Sequence, residues 1–402
     1  MTIASDPMIA GAPPERREPF RQRGRKALLI GFIFLAVAGV IAFAALLLSG
    51  GDGAYGDPEL DLAGASLAFA LALIPLPVLW LCYWWLDRYE PEPKRYMFAA
   101  FVWGGVVAVA IALLLQVWVE RTYNLSDESM ASFIAPVTEE PAKCLFLLLT
   151  FARARRVIDG FLDGLIIAGM VGIGFAFMEN FGYYASSYLG GPDIPIDGTQ
   201  GATTTFIVRG VFSPFAHPLF TSAFGIAVGL AVTRKSKFTK VAISLLGLAV
   251  SIGLHMTWNA SLSFGGGAGF LLMYVGLGAV LLLVTVMAII VRSNQVTILE
   301  QSLSYVSLRG WIHPAEIPYL SRFTYRKAAR RFALQHHGKE ARQTVKRYQQ
   351  LATEMAFLHH AMMSGRSKPH GVERTYGLLD QMYALRPDLR FPPALQSNFR
   401  HS

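Results

Sequence analysis

The chain has 402 residues, of which 53% are hydrophobic and only 16% are charged. A soluble domain carries about 25% charged residues, so this composition excludes an ordinary soluble enzyme and indicates a protein that crosses a membrane several times. The formal net charge is +9, and basic loops on one side of the membrane explain that excess without a nucleic acid partner.

Apolar runs of membrane length predict an all-α fold, a polytopic membrane helix bundle of about eight transmembrane helices. The first run follows a segment rich in Pro and Arg and is longer than the core of a signal peptide, so we expect it to be retained. The eight predicted spans are Ala27–Leu48, Ala65–Leu86, Met97–Val119, Ala131–Phe151, Phe161–Tyr184, Phe206–Val232, Lys240–Phe264 and Phe270–Val291.

The loops between these spans alternate in charge. Basic segments precede the first span and follow the second, fourth and sixth, whereas the other loops are acidic or neutral. The positive-inside rule then predicts a multi-pass protein of the cell membrane with both termini in the cytoplasm. Three regions result: a basic N-terminus at 1–26, a transmembrane bundle at 27–291, and a basic cytoplasmic tail at 292–402. The tail has helical apolar spacing that is interrupted at Gly338.

The predicted fourth span carries Glu139, Glu140 and Lys143 near its middle. Each ionisable side chain at that depth costs roughly 2.5 to 3.5 kcal/mol, so three in one helical turn indicate a buried polar site inside a bundle. The lysine follows the glutamates by four and three residues and can reach either one. One carboxylate is then neutralised while the other stays free for chemistry.

Three further spans carry polar groups at a similar predicted depth. They hold Glu179 in the fifth span, His217 in the sixth, and His255 with Asn259 in the seventh, where the four-residue spacing puts the last two on one face. At about 1.5 Å per residue, Glu139, Glu179 and the two histidines fall roughly 8 to 16 Å below the outer ends of their spans. Because they share one slab of the bilayer, we expect them to form one site.

Small residues on the fifth and sixth spans predict close helix packing. Glycines recur through the fifth span, among them Gly164 and Gly172, and Thr221 and Gly225 lie four residues apart on the sixth. Such residues let helix backbones approach one another closely in a membrane. Glu179 is then expected to face protein rather than lipid.

The quoted segments resemble a known family. The sequences E-E-P-A-K around Glu139, F-M-E-N ending at Asn180, H-P-L-F-T-S-A-F-G from His217 and H-M-T-W-N from His255 are similar to the motifs of the PrsW family of intramembrane proteases. That family is related to the Abi and CAAX prenyl endopeptidase group. The resemblance covers a protease-like core at about 86–291 and implies hydrolysis of a membrane-anchored protein substrate within the lipid bilayer.

The resemblance implies a set of roles for these residues. Glu139 is expected to activate a water as base, with Glu140 as the partner of Lys143, and His255 and Asn259 are expected to donate to the oxyanion. In the metalloprotease version, Zn²⁺ would be held by Glu179, His217 and His255 with a fourth position open to water. We favour the metal version slightly, because Glu179 otherwise lacks an obvious cation partner in the sequence.

Two other classes of protein place ionisable groups in a membrane. A proton-coupled transporter would be favoured by an inverted repeat or by helices broken at matching positions, and the sequence has neither. A noncatalytic membrane scaffold or immunity-type protein would keep the same residues for packing alone. That reading predicts that alanine at Glu139 leaves the cellular activity intact.

Overall fold

The computed structural model describes residues 62–89, 91–153, 157–190, 196–364 and 371–392, and the secondary structure in these ranges is helical. The first seven helices are α1 (Leu62–Leu73), α2 (Leu76–Leu86), α3 (Lys94–Val102), α4 (Val109–Tyr123), α5 (Asp127–Ser129), α6 (Ala135–Arg153) and α7 (Phe161–Leu189). The next seven are α8 (Gly198–Phe206), α9 (Ala216–Val232), α10 (Lys237–Ser263), α11 (Gly266–Leu308), α12 (Ile317–Ser321), α13 (Phe323–Met363) and α14 (Gly371–Leu385).

Three π-helical segments join neighbouring α-helices in the described bundle. They are Trp103–Ala108 between α3 and α4, Met130–Ile134 between α5 and α6, and Ile207–Phe212 between α8 and α9. A π-helical segment changes the direction of side chains relative to a regular helix and is frequent at functional sites. The last of the three carries Arg209, which reaches the site described below.

Within the described residues, six helical segments are long and apolar enough to cross a membrane. They correspond to six of the eight predicted spans, and the multi-pass all-helical architecture is confirmed. The six segments are Leu62–Leu86, Lys94–Tyr123, Phe161–Leu189, Gly198–Val232, Lys237–Ser263 and Gly266–Leu308.

The two remaining predicted spans have different outcomes. Ala27–Leu48 lies outside the described residues. Ala131–Phe151 corresponds to α6 and the π-helical turn before it, but Glu139, Glu140 and Lys143 lower its apolar character and it is not among the six. These three side chains are buried against neighbouring helices, whereas Val137, Leu145 and Leu148 on other faces of α6 are exposed. The assignment of α6 as the fourth span stays a prediction.

The helix α7 forms the centre of the bundle and is buried along most of its length. It packs closely on α9, because a Cβ atom on Gly164 would lie 2.0 Å from the carbonyl oxygen of Gly225. On its other side, a Cβ on Gly104 would lie 1.9 Å from the carbonyl oxygen of Val171. The close approach predicted from the glycines is confirmed, and it fixes the height of α7 relative to its neighbours.

The helix α11 continues through the predicted end of the bundle at Val291. Its 43 residues give a length of about 64 Å, roughly twice the hydrocarbon core of a bilayer, so its C-terminal half extends beyond the membrane. There it joins α13 and α14 in a second core that includes Leu303, Tyr348 and Met355. Gly338 interrupts α13 with a positive φ of 85°, as the sequence predicts.

Candidate active site

Three ionisable side chains share one turn of α6. Lys143 Nζ lies 2.8 Å from Oε1 of Glu140 and 3.2 Å from Oε2 of Glu139. The ammonium also lies 3.6 Å from the centre of the Phe175 ring on α7, a cation–π contact that is strongest when it is desolvated. Lys143 and Glu140 are fully buried, and Glu139 is 5% exposed. The lysine therefore contacts both carboxylates, whereas the sequence predicts that one of them stays free.

Glu140 has partners on both of its oxygens. Oε1 lies 3.0 Å from Nδ1 of His255 in addition to its contact with the lysine. Oε2 accepts hydrogen bonds of 2.8 Å from Ser251 Oγ and 3.2 Å from Thr221 Oγ1. Helices α6, α9 and α10 therefore meet at one carboxylate. Such a fully bonded group holds its neighbours in position.

Glu139 is bonded less completely. Its Oε2 contacts Lys143, and its Oε1 accepts a long hydrogen bond of 3.4 Å from Nε2 of Gln116 on α4. The same Oε2 lies 3.9 Å from Nδ1 of His255. Because its weakest partner is a neutral amide, Glu139 has an oxygen that can turn toward a water molecule at lower cost than either oxygen of Glu140.

His217 bridges the lysine and a third carboxylate. Its Nδ1 lies 3.1 Å from Lys143 Nζ, and its Nε2 lies 2.5 Å from Oε2 of Glu179. An ammonium group can only donate, so Nδ1 accepts and Nε2 carries the proton that is donated to the carboxylate. This hydrogen-bond pattern assigns one tautomer to the neutral His217 ring.

His255 is held from two sides in the same way. Its Nδ1–H donates to Glu140, and its Nε2 faces Nδ2 of Asn259 at 3.4 Å. The Asn259 amide also donates to the carbonyl oxygen of Ala131 at 2.8 Å. The imidazole stacks on the ring of Phe220 with their centres 4.8 Å apart. Its orientation is therefore fixed by one carboxylate, one amide and one aromatic ring.

Glu179 has a cation partner that the sequence reasoning missed. Arg209 Nη2 donates to Oε2 of Glu179 at 2.8 Å, and Arg209 Nε donates to Oδ1 of Asn180 at 2.8 Å. The guanidinium lies 3.8 Å from the centre of the Tyr183 ring. The expectation that Glu179 lacks a cation is thus wrong. Arg209 falls inside the predicted sixth span, and an arginine in an apolar stretch is itself a signal of a buried partner.

The structure brings together all of the residues singled out in the sequence. Glu139, Glu140, Lys143, Glu179, His217, His255 and Asn259 are linked by direct contacts. Three carboxylates then face two permanent cations, Lys143 and Arg209, while the hydrogen bonds are those of neutral histidines. One further positive charge, from a proton or from a bound cation, would neutralise the site.

A cavity of about 240 Å³ reaches this cluster beside α8 and the π-helical segment before α9. His217 and Arg209 line it together with Asn180 and Tyr183. These polar groups share the cavity wall with Val208, Trp258 and Leu262, so the cavity offers both polar partners and apolar surface beside the cluster. The cavity approaches the histidine side of the cluster.

A metal ion would find suitable donors here. Glu139, Glu140, His217 and His255 are buried and each offers a donor atom within 4.8 Å of the others, and carboxylates and imidazoles are the ligands that catalytic zinc takes. Lys143 contacts three of the four residues, so its ammonium and an ion would compete for the same donors. Glu179 is not part of this group, and the predicted ligand set Glu179, His217 and His255 stays a prediction.

The comparisons with known proteins agree with these motifs. Residues 92–291, about half of the chain, match the family described as PrsW family intramembrane metalloprotease. The chain is 26% identical over 229 residues to "Protease PrsW" of Clostridioides difficile (strain 630), which covers 56% of this chain and 87% of that relative.

A second relative gives the same result over a shorter length. "Protease PrsW" of Geobacillus kaustophilus (strain HTA426) is 26% identical over 152 residues, which is 38% of this chain and 61% of the relative. No solved structure matches the chain. The matched region contains α6, α7, α9 and α10, whose side chains form the buried cluster, and the chain belongs to the PrsW family of intramembrane proteases.

Proposed function

We propose that the protein hydrolyses a peptide bond of a membrane-anchored protein substrate with a water molecule that Glu139 activates. This proposal rests on the difference between the hydrogen-bond partners of the two adjacent glutamates. Glu140 has charged or hydroxyl partners on both oxygens, whereas Glu139 Oε1 has only a long bond from Gln116. A base must be free to accept a proton from water and to release it to the leaving amine.

The other residues of the cluster hold and polarise the reacting groups. Lys143 keeps Glu139 and Glu140 together and supplies positive charge beside the developing tetrahedral centre. We assign the stabilisation of the oxyanion to the Nδ2–H of Asn259, which the Nε2 acceptor of His255 holds in position. Without a bound metal ion, Glu140 orients His255, and Glu179 orients His217, by the hydrogen bonds that fix the two tautomers.

We further propose that His217, His255 and Glu140 hold a divalent metal ion, which leaves Glu139 as the base. Two imidazoles and one carboxylate are a common ligand set for catalytic zinc. When bound, the ion would polarise the scissile carbonyl and acidify a water molecule. It would also supply the positive charge that the three carboxylates lack. The set that includes Glu179 in place of Glu140 is the competing assignment.

The orientation in the membrane follows from the loops. We propose that the helices after α11 and the loop between α2 and α3 lie in the cytoplasm, because both are rich in Lys and Arg. The cavity beside α8 then opens toward the outer half of the bilayer. A reporter fused after Gly310, beyond the end of α11, would read as cytoplasmic, and an extracytoplasmic signal would overturn this orientation.

The central test compares protein N-termini in membranes. Cells expressing the wild-type protein or Glu139→Gln would be compared by chemical labelling of new N-termini and mass spectrometry. We expect cleaved single-span proteins only with the wild type and with Glu128→Gln, a matched control at an exposed glutamate of α5. Identical N-termini with wild type and Glu139→Gln, at equal protein levels, would contradict the mechanism.

A further inference from the structure

An apolar cleft of about 630 Å³ lies apart from the catalytic cluster, between α2, α7, α9 and α11. Its walls include Leu81, Trp85, Leu165, Leu219 and Val284, and few polar atoms face it. The cleft extends along α2 to Leu86 and along α11 to Ala288. The predicted spans end at Leu86 and Val291, so we place one end of the cleft at the membrane surface.

Two arginines follow the cleft at that end. Arg88 and Arg292 continue the two helices whose residues Leu86 and Ala288 line the cleft. The Arg292 guanidinium lies 3.7 Å from the centre of the Trp85 ring, and Arg88 lies 5.0 Å from that of Trp84. Because Trp84 and Trp85 are neighbours on α2, both positive charges lie at the same end of the cleft.

Neither arginine has a carboxylate partner among the residues that the structure describes. The Nε atoms of Arg88 and Arg292 are buried without a hydrogen-bond partner, and so is Oε1 of Gln295, three residues further along α11. Buried donors are normally satisfied, and two like charges side by side favour an anion between them. Guanidinium groups bind phosphate well, because their donors match its oxygens.

We propose that this surface binds one anionic phospholipid, with its phosphate on Arg88 and Arg292 and an acyl chain in the apolar cleft. Basic pockets between transmembrane helices, at the level of the headgroups, are the usual form of such sites. The charge of the arginines and the apolar lining of the cleft are complementary to the two ends of one lipid molecule.

The chemistry of the cleft favours a lipid over a substrate helix. A helix is about 10 Å across, and an apolar helix would leave the two arginines without an anion. An extended alkyl chain is much thinner and can run along the whole cleft. A free phosphate would satisfy the arginines but would leave the apolar walls uncovered.

The lipid would join the bundle to the C-terminal helices. The Arg88 guanidinium lies 4.5 Å from the centre of the Phe323 ring at the start of α13, and Arg292 lies 5.6 Å from that of Tyr89, which packs in the second core. A headgroup bound by both arginines therefore neutralises two positive charges where the two cores meet. Binding is expected to raise the thermal stability of the full chain.

The test measures lipid binding by the full-length protein in detergent micelles. Native mass spectrometry and melting temperature would compare phosphatidylglycerol with phosphatidylcholine of the same acyl chains. We expect one retained phosphatidylglycerol per chain, a higher melting temperature, and at least a ~10-fold preference over phosphatidylcholine, because the choline cation of phosphatidylcholine would bring a further positive charge beside the two arginines. Glycerol phosphate, which lacks acyl chains, should give no stabilisation at the same concentration.

Three variants locate the site. Arg88→Gln/Arg292→Gln should remove the preference for phosphatidylglycerol, and Thr285→Phe, which narrows the cleft, should weaken binding of both lipids. Arg95→Gln is the matched control, because Arg95 also lies over an aromatic ring at the start of a span but outside the cleft. Equal effects of Arg95→Gln and the double variant, equal binding of the two lipids, or full stabilisation by glycerol phosphate would each overturn the proposal. A photocrosslinker at residue 285 that captures a protein instead of lipid would do so as well.

Discussion

Arg209 donates to the carboxylate of Glu179 across 30 residues of sequence, at a distance of 2.8 Å. The pair joins the π-helical segment before α9 to the last third of α7. Since Glu179 also contacts His217, Arg209 acts on the cluster through one carboxylate and one imidazole. It borders the cavity by which substrate or water would approach.

Removing the Arg209 guanidinium should lower the stability of the protein and weaken the contacts that hold Glu179 in the buried cluster. Arg209→Gln leaves Glu179 with one charged partner fewer, so we expect a loss of about 1.5 to 3 kcal/mol in stability. The double variant Arg209→Gln/Glu179→Gln should lose less than the sum of the two single variants. Melting temperatures in detergent would measure the cycle, with Arg121→Gln on α4 as an exposed control. Additive single effects would show that the pair contributes no coupling.

Replacing the two adjacent glutamates should separate catalysis from structure. Glu139→Gln should lower the cleavage rate by about 10² to 10⁴, the range of a general base, with little change in melting temperature. Glu140→Gln should lower both the cleavage rate and the melting temperature, because it disturbs the hydrogen bonds to Lys143, His255, Ser251 and Thr221. The measurements are single-turnover cleavage and thermal unfolding of the same preparations. Normal cleavage by Glu139→Gln would show that Glu139 is not the general base.

Much of the site could be predicted because its signals are local. Glu139, Glu140 and Lys143 fall within one helical turn, and a charge at membrane depth is conspicuous against an aliphatic background. His255 and Asn259 share a face by their spacing alone. The glycines of α7 likewise indicate close packing before any partner is known.

The contacts that the sequence did not predict depend on how separate helices are aligned in three dimensions. Arg209 lies 30 residues from Glu179, and only the π-helical segment at Ile207–Phe212 directs it there. Ser251 and Gln116 are ordinary residues in their own helices, and their bonds to the glutamates arise from three-dimensional packing. The three charges of α6 set it apart from the six apolar segments, and its assignment as the fourth span stays a prediction.

Metal content should distinguish the two candidate ligand sets. We expect purified wild-type protein to carry zinc, chelation to remove activity reversibly, and His255→Ala to lower bound zinc at least ~10-fold, the low end for loss of even an outer contact. If Glu140 is the third ligand, Glu140→Gln loses zinc and Glu179→Gln keeps most of it. The opposite result assigns the ligand role to Glu179. Full activity of metal-free protein would refute the metal and leave the glutamate mechanism in place.

The packing of α7 on α9 gives a prediction that is independent of catalysis. Gly164→Ala would bring Cβ to 2.0 Å from the carbonyl oxygen of Gly225, so the two helices must separate. Because α9 carries His217 and Thr221, we expect lower stability together with reduced cleavage. Gly253→Ala on α10 is the control, since nothing lies within 4 Å of its Cβ position. Melting temperature and cleavage rate equal to the control would exclude close packing as a requirement.

Asp87 follows the last residue of α2 and is buried. Its two carboxylate oxygens accept the Glu92 N–H at 3.0 and 3.1 Å, which favours the charged form. Burial outweighs these bonds and raises the pKa of Asp87 to about 7, compared with about 3.9 for an exposed aspartate. The folded protein therefore holds this proton more tightly than the unfolded chain does.

The sign of the pH dependence follows from that difference. The contribution of Asp87 to stability is complete below about pH 4 and is lost as the pH rises through about 7. Asp87→Asn keeps an acceptor for the Glu92 N–H but cannot ionise. The melting temperature of Asp87→Asn minus that of the wild type should therefore increase from pH 5 to pH 8. Asp127→Asn, at an exposed position of α5, is the control. A difference between Asp87→Asn and wild type that stays constant over this range would contradict the assignment.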